Sequence, residues 1–439
     1  MSAPPTELKL HEALRRTRTM ERRGRVTRAF GTTVHATGLD VRVGQSCDIV
    51  DPATGHRIPA EVVGLVDGAA VLTPLAPLHG LSAHAEVIAG PARAEIASGP
   101  GLLGRVIDAY GRPLDGLGPV TGPARPRPVH AEAPSPFDRP PISEIFPTGV
   151  RVVDSMLSVG VGQRVGVFAT AGGGKSTLLG MFARHCRADV NVIALIGERG
   201  REVREFLEDS LGPEGLARSI VVVSTSDRPA MERVRAAHAA SAIAEGFRAE
   251  GLRVMLLMDS VTRFARALRE VGLSVGEPAV RRGFPPSVFA ELPRLFERAG
   301  AAGAGSITAF YTVLLEEEDG SDPIGEEVRS ILDGHIYLSR KLAQAGRYPA
   351  VDVLASISRV FGRITGPEHR AGVAQVRAWL AKYAEIEFLL QIGEYKPGGD
   401  LLADEAIARM PALERLLRQP PEEGCELSLT LAQLREAAT

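Results

Sequence analysis

Cysteine is almost missing from this 439-residue chain: Cys47, Cys186 and Cys425 are scattered and odd in number. They allow no disulfide framework and no CxxC metal or redox pair, so a reducing compartment is expected. An excess of one charge is missing too. The 51 Lys and Arg face 53 Asp and Glu, a formal net charge of −2. No global field draws a polyanion, and nucleic acid is not an expected partner. Aromatics are only 5%, leaving few platforms on which single-stranded bases could stack. Apolar runs such as Val254–Met258 fall far short of the roughly 20 residues a membrane-spanning helix needs. Met1-Ser2-Ala3-Pro4-Pro5 leads into charge rather than into the apolar centre of a signal peptide. The expected location is cytoplasmic, with any membrane association peripheral or made through partners.

What is present, 44% apolar and 24% charged residues, is the composition of a soluble globular protein of two to four domains. Residues 1–30 carry eight Lys/Arg against three Glu, opposite in sign to the whole chain. With Leu8, Leu10 and Leu14 on one side, the stretch from Thr6 to Arg28 reads as a short basic helix running into the first strand. It is either a solvated terminus or a docking segment (1–23) for an acidic partner or anionic surface. From 24 to 95 short β-rich runs (Val26–Ala36, Val41–Val50, Ile58–Leu65, Ala69–Leu75) alternate with turn clusters, which predicts a small β-barrel-like domain. Eight prolines between Pro119 and Pro141 exclude helix and central strand and predict a wrapping linker. Within 96–365 the runs Val165–Ala169, Val192–Ile196, Ile220–Val223, Val254–Met258 and Ile307–Val313 alternate with helical patterns. That predicts an α/β domain with a parallel sheet covered on both faces. Residues 366–439 read as a helical domain.

The sharpest chemical signal is Ala169-Thr170-Ala171-Gly172-Gly173-Gly174-Lys175-Ser176-Thr177, between an apolar run and a helical stretch. It meets G-x-x-x-x-G-K-[ST] except that Ala169 replaces the first glycine, in the strand–loop–helix context a P-loop requires. Ala171, Gly172, Gly173 and Gly174 would turn N–H groups inward around a phosphate at the positive end of a helix. Lys175 would reach the β- and γ-phosphates, Ser176 would ligate Mg²⁺, and Thr177 is the expected donor to the α-phosphate. Val254–Met258 followed by Asp259 supplies the strand-end carboxylate for the metal's water shell, the Walker B pattern. The run Val192–Ile196 ends in Gly197-Glu198-Arg199-Gly200-Arg201-Glu202. Glu198 could orient water in line with the γ-phosphate and Arg199 could pair with Glu198 or with phosphate, or the segment is a solvated charge cluster. Pattern alone leaves both open.

Taken in order, the P-loop, Gly197–Glu202 and Asp259-Ser260-Val261-Thr262-Arg263-Phe264-Ala265 carry a family resemblance. So do Gly276-Glu277-Pro278, Gly283–Phe289, Leu332-Asp333-Gly334-His335, Tyr348-Pro349-Ala350 and Ser356–Val360, which follow them. Together these resemble the ATPases of bacterial type III secretion systems, relatives of flagellar export ATPases and of rotary ATP synthase catalytic subunits, over about residues 24–420. Ala171–Thr177 resembles the injectisome branch, and Asn191–Phe206 the plant-pathogen type within it. The resemblance implies a RecA-like P-loop NTPase core between a β-barrel-like N-terminal domain and a helical C-terminal domain. It implies an ATP- and Mg²⁺-dependent hydrolase working as a homohexamer with sites between subunits.

By the same resemblance Glu198 is the catalytic glutamate, and Arg359 is an arginine finger reaching a neighbour's site. Tyr348 packs on adenine, or else is an interface or core tyrosine. The implied partners are a stator-type regulatory protein at the basic N-terminus, a central stalk protein, effector–chaperone complexes and the inner-membrane export apparatus. Glu316–Gly320 departs from the family's acidic stretch in spacing. The rivals are a flagellar export ATPase, a hexameric RNA translocase and a non-catalytic nucleotide-binding ring subunit. Near-neutral charge opposes the second and Glu198 the third.

Overall fold

The computed structural model describes residues 22–315 and 322–439. The predicted docking segment, apart from its last two residues, and the acidic run Glu316–Gly320 lie outside the described residues. The chain divides into two compact units: residues through Ala94 together with Leu273–Glu277, and the remainder.

In the first unit six antiparallel strands close a barrel in the order β1-β2-β5-β4-β3-β6, with β6 returning to β1. They are β1 (Arg23–Phe30), β2 (Thr33–Thr37), β3 (Ser46–Val50), β4 (Arg57–Val66), β5 (Ala69–Pro74) and β6 (Glu86–Ala89). Every second side chain points inward, so Val34, Ala36, Cys47, Ile49, Ile58, Ala60, Val62, Leu72 and Val87 form one core. Closure removes the exposed edges that a short sheet of this size would otherwise present. The run Val26–Ala36, expected as one strand, is a hairpin. Phe30 pairs with Thr33 across a two-residue turn, and Gly31 takes the left-handed φ of 59° that such a turn favours. Arg23–Arg28 is strand, not the end of a basic helix.

The second unit begins with a ribbon of β7 (Glu95–Ser98) and β9 (Arg125–Pro128). The proline-rich stretch thus holds one edge strand, where Pro126 and Pro128 interrupt no central ladder. The main sheet comprises β8 (Val106–Ile107), β10 (Arg164–Ala169), β11 (Val190–Ile196), β12 (Ser219–Ser224) and β13 (Arg253–Asp259). It continues with β14 (Gly300–Ala302), β15 (Gly305–Leu314), β16 (Gly334–Leu338) and β17 (Val351–Ser358). The order is β17-β16-β10-β15-β13-β11-β12-β8, parallel from β16 to β8, with β17 antiparallel and β14 paired onto β15.

All five predicted apolar runs are central strands. β11 and β12 are buried at every position, as a sheet covered on both faces demands. Among the covering helices are Lys175–His185, whose Phe182 stacks on Phe310 of β15 at 4.4 Å, and Ala230–Ala249. The C-terminal helices Pro367–Gln391, Leu401–Leu417 and Leu427–Ala438 confirm the helical pattern. They close no core of their own: Val376, Trp379, Leu413, Leu416 and Leu434 belong to the same buried cluster as Val152, Phe182 and Phe310. Among the described residues no helix is long and apolar enough to cross a membrane.

Candidate nucleotide-binding and hydrolysis site

Parallel strands end on one edge, so the sheet order decides which strand-end residues meet. β10, β15, β13 and β11 are consecutive neighbours, with Leu195 of β11 opposite Asp259 of β13 and Met258 opposite Tyr311 of β15. Ala169 ends β10, and after five intervening residues the helix Lys175–His185 begins. Gly172 and Gly174 have φ of 80° and 79°, and no atom crowds the position a Cβ would take on Gly172. A side chain at either would strain the turn. The first N–H groups of the helix have no intrahelical partner, which makes the loop and its helix an anion cradle. Ser176 and Thr177 occupy the second and third helical positions, with Ser176 exposed.

The ends of two strands, β11 and β13, then converge on Lys175. Its Nζ lies 2.5 Å from Oδ1 of Asp259 and 3.2 Å from Oε1 of Glu198. Oε2 of Glu198 lies 3.1 Å from Nη2 of Arg263, whose Nη1 also donates to the Gly197 carbonyl. The Thr312 hydroxyl of β15 donates to Oδ1 of Asp259 at 2.8 Å. The result is one charge-alternating chain, Thr312–Asp259–Lys175–Glu198–Arg263. Its carboxylates are nearly buried, at 5% and 8% exposed for Asp259 and Glu198. Burial, and then the negative charge of Asp259, push the Glu198 carboxyl up to about 7 against the pull of Lys175 and Arg263. Burial disfavours the Lys175 ammonium, but Asp259 and Glu198 outweigh it and hold its pKa above the ordinary value. A base poised near neutrality beside a fixed cation suits proton transfer from water.

The structure brings together Lys175, Glu198 and Asp259 as the sequence suggested, and it separates Arg199 from them. The Arg199 guanidinium is 79% exposed and pairs with Glu202 at 3.4 Å, not with Glu198. The expected pairing of Arg199 with Glu198 is corrected: the cations on Glu198 are Lys175 and Arg263. Glu198 precedes the turn into the helix Gly200–Glu205, and Arg199, its N-cap, points outward. Arg263 lies four residues after Asp259, one turn into the helix Val261–Ser274, and so faces back over the strand ends. A basic residue at that offset from a strand-end Asp was the available signal. Thr312 had none, because only the β13–β15 pairing puts it beside Asp259.

Tyr348 reaches the P-loop, where a Cβ on Gly174 would lie 3.1 Å from its ring. Arg359 follows the edge strand β17, exposed, donating to the Arg329 carbonyl at 3.1 Å. It stands on the far side of the sheet order from β11 and so has no part in its own chain's Glu198 cluster.

The residues fit a nucleotide triphosphate with Mg²⁺. The open, left-handed glycines offer backbone donors, and Lys175 supplies the cation. Ser176 and Asp259 would supply the one or two protein oxygens that Mg²⁺ takes when phosphates and water complete its shell.

Residues 149–358 match the model of the ATP synthase alpha/beta family nucleotide-binding domain, and residues 365–436 match the T3SS EscN ATPase C-terminal domain. The chain is 53% identical over 409 residues to the type 3 secretion system ATPase of Sinorhizobium fredii, covering 93% of this chain and 90% of that one. The chain belongs to the type 3 secretion and flagellar ATPase family. It is also 47% identical over 426 residues to the flagellum-specific ATP synthase of Treponema pallidum, covering 97% and 95% of the two chains. Its fold matches the assembled ATPase EscN of enteropathogenic E. coli in complex with its central stalk EscO, with a TM-score of 0.88 and 43% identity. That match covers 95% of this chain and 100% of that one.

Proposed function

We propose that this chain is the Mg²⁺-dependent ATP hydrolase that energises a type III protein secretion system. The observation that carries this reading is the placement of Lys175, at the end of the P-loop, between Glu198 and Asp259. Ala171, Gly172, Gly173 and Gly174 hold the phosphates by their N–H groups, Lys175 transfers its contact from the carboxylates to the β- and γ-phosphates, and Thr177 donates to the α-phosphate. Tyr348 packs on the adenine. Ser176 and Asp259 would hold Mg²⁺, which would supply charge neutralisation on the phosphate oxygens. Glu198, kept in place by Arg263, orients the attacking water and takes its proton. Identity of 53% to a secretion ATPase, against 47% to a flagellar one, favours the secretion branch.

Arg359 is proposed to act in the site of a neighbouring copy within a homohexamer, offsetting charge on the transferred phosphoryl group, an effect of about 10³–10⁵ in rate. EscN is described as assembled and in complex with a central stalk, and a stalk partner is proposed here by analogy. A stator-type regulatory protein on the basic N-terminal segment, effector–chaperone complexes and the inner-membrane export apparatus complete the proposed set. The chain then works in the cytoplasm at the base of the secretion machine. Mixing separately inactive Glu198→Gln and Arg359→Ala proteins tests the assembly. Activity should return on mixing, because mixed interfaces pair an intact Glu198 with an intact Arg359. A mixture as inactive as its components would refute action in trans.

A further inference from the structure

The segment carrying Tyr348 is tied to the helical C-terminal region by a residue no sequence motif marks. Gln419 follows the helix Leu401–Leu417 and is 3% exposed. Its main-chain N–H donates to the Tyr348 carbonyl at 2.9 Å. Its side chain is bonded at both ends. Oε1 accepts from the N–H of Arg151 at 2.7 Å, and Nε2 donates to the carbonyls of Gly149 at 2.9 Å and Glu423 at 2.5 Å. Arg151 opens the short helix Arg151–Met156, so Gln419 also satisfies one of that helix's orphan donors. A second tie lies next door, where Arg347 pairs with Glu414 of the helix Leu401–Leu417 at 3.3 Å. On its other side the Tyr348 ring rests over Gly174.

We propose that Gln419 is a positioning residue for nucleotide-base binding. Its side chain locks residue 419 to the Gly149–Arg151 segment, and its main chain holds the Tyr348 carbonyl, which fixes the Tyr348 ring beside the P-loop. The inference rests on the proposed reading of Tyr348 as the adenine wall. Neither Gln419 nor Tyr348 touches the Lys175–Glu198–Asp259 chain. The Tyr348 ring borders the P-loop only at Gly174, so loosening it weakens recognition of the base far more than recognition of the phosphates. A buried side chain that loses its hydrogen bonds predicts an affinity loss of about fivefold.

The test is calorimetric titration of the full chain with MgATP and with magnesium tripolyphosphate, which has the phosphates and no base. Wild type, Tyr348→Ala, Gln419→Ala and Gln419→Glu are compared. Tyr348→Ala and Gln419→Ala should both weaken MgATP by about fivefold or more and leave tripolyphosphate within about twofold. Gln419→Glu keeps the acceptor for Arg151 but sets a carboxylate oxygen against the Gly149 and Glu423 carbonyls, so it should weaken MgATP at least as much as Gln419→Ala. Being isosteric, it carries the test if the alanine variant does not fold. Equal weakening of both ligands by the Gln419 variants would make Gln419 a general structural residue and overturn the proposal. So would unchanged MgATP affinity in those variants alongside a loss in Tyr348→Ala. If Tyr348→Ala leaves the preference for MgATP over tripolyphosphate untouched, the adenine reading itself fails and this inference falls with it.

Discussion

Replacing Glu198 with Gln removes a charge and a proton acceptor while keeping the shape of the side chain. At 3.2 Å from Lys175 the gross attraction between full charges is about 5 kcal/mol at an effective dielectric of 20. Little of that is a net grip on the lysine. With a carboxyl pushed up to about 7, Glu198 is partly protonated at neutral pH, and Asp259 holds the same ammonium at 2.5 Å. Lys175 should therefore stay in place in the variant, and with one competitor fewer it should bind triphosphate as well as wild type or more tightly. The chemical step is different. Loss of a positioned general base lowers kcat by about 10²–10⁴, or roughly 3–5 kcal/mol of barrier. Phosphate release measured at saturating MgATP, with MgATP affinity measured by calorimetry, separates the two quantities. A kcat within about threefold of wild type would refute the assignment of the base. A fall in kcat matched by an equal fall in affinity would make Glu198 a scaffold for Lys175.

The raised carboxyl of Glu198 also predicts a pH profile: the base is active only when deprotonated, so kcat/KM should fall as pH drops through about 7. Arg263→Ala removes a cation that favours the ionised form and should move that limb to higher pH; an unmoved limb would sever Arg263 from Glu198. In the core behind the P-loop, Phe182 is fully buried and stacked on Phe310. Phe182→Ala should cost about 3–5 kcal/mol in denaturant unfolding, and a loss below about 1 kcal/mol would mean that the helix Lys175–His185 is not held by this contact.

Local pattern was enough wherever the chemistry depends on neighbours in the chain. Three glycines before Lys175-Ser176 dictate a loop of inward N–H groups whatever surrounds them, and an apolar strand ending in Asp259 dictates a carboxylate at a sheet edge. Short β-rich runs separated by turn clusters likewise announced the barrel, although the turn at Gly31 divided one expected strand into two. Continuous apolar runs announced the central strands, because only a doubly covered sheet buries every side chain.

The partners of those groups were another matter. Arg199 adjoins Glu198 in sequence but turns outward at a helix start, while Arg263, 65 positions further on, takes the place beside it because β11 and β13 are neighbours. Thr312 meets Asp259 for the same reason, one strand over. Gln419 meets Tyr348 only because the C-terminal helices share a core with the sheet domain. The chain's own order determined which reactive groups exist and on which kind of element each sits. Strand order and packing decided which of them touch, since contacts between distant segments are set by burying one common core and not by spacing along the backbone.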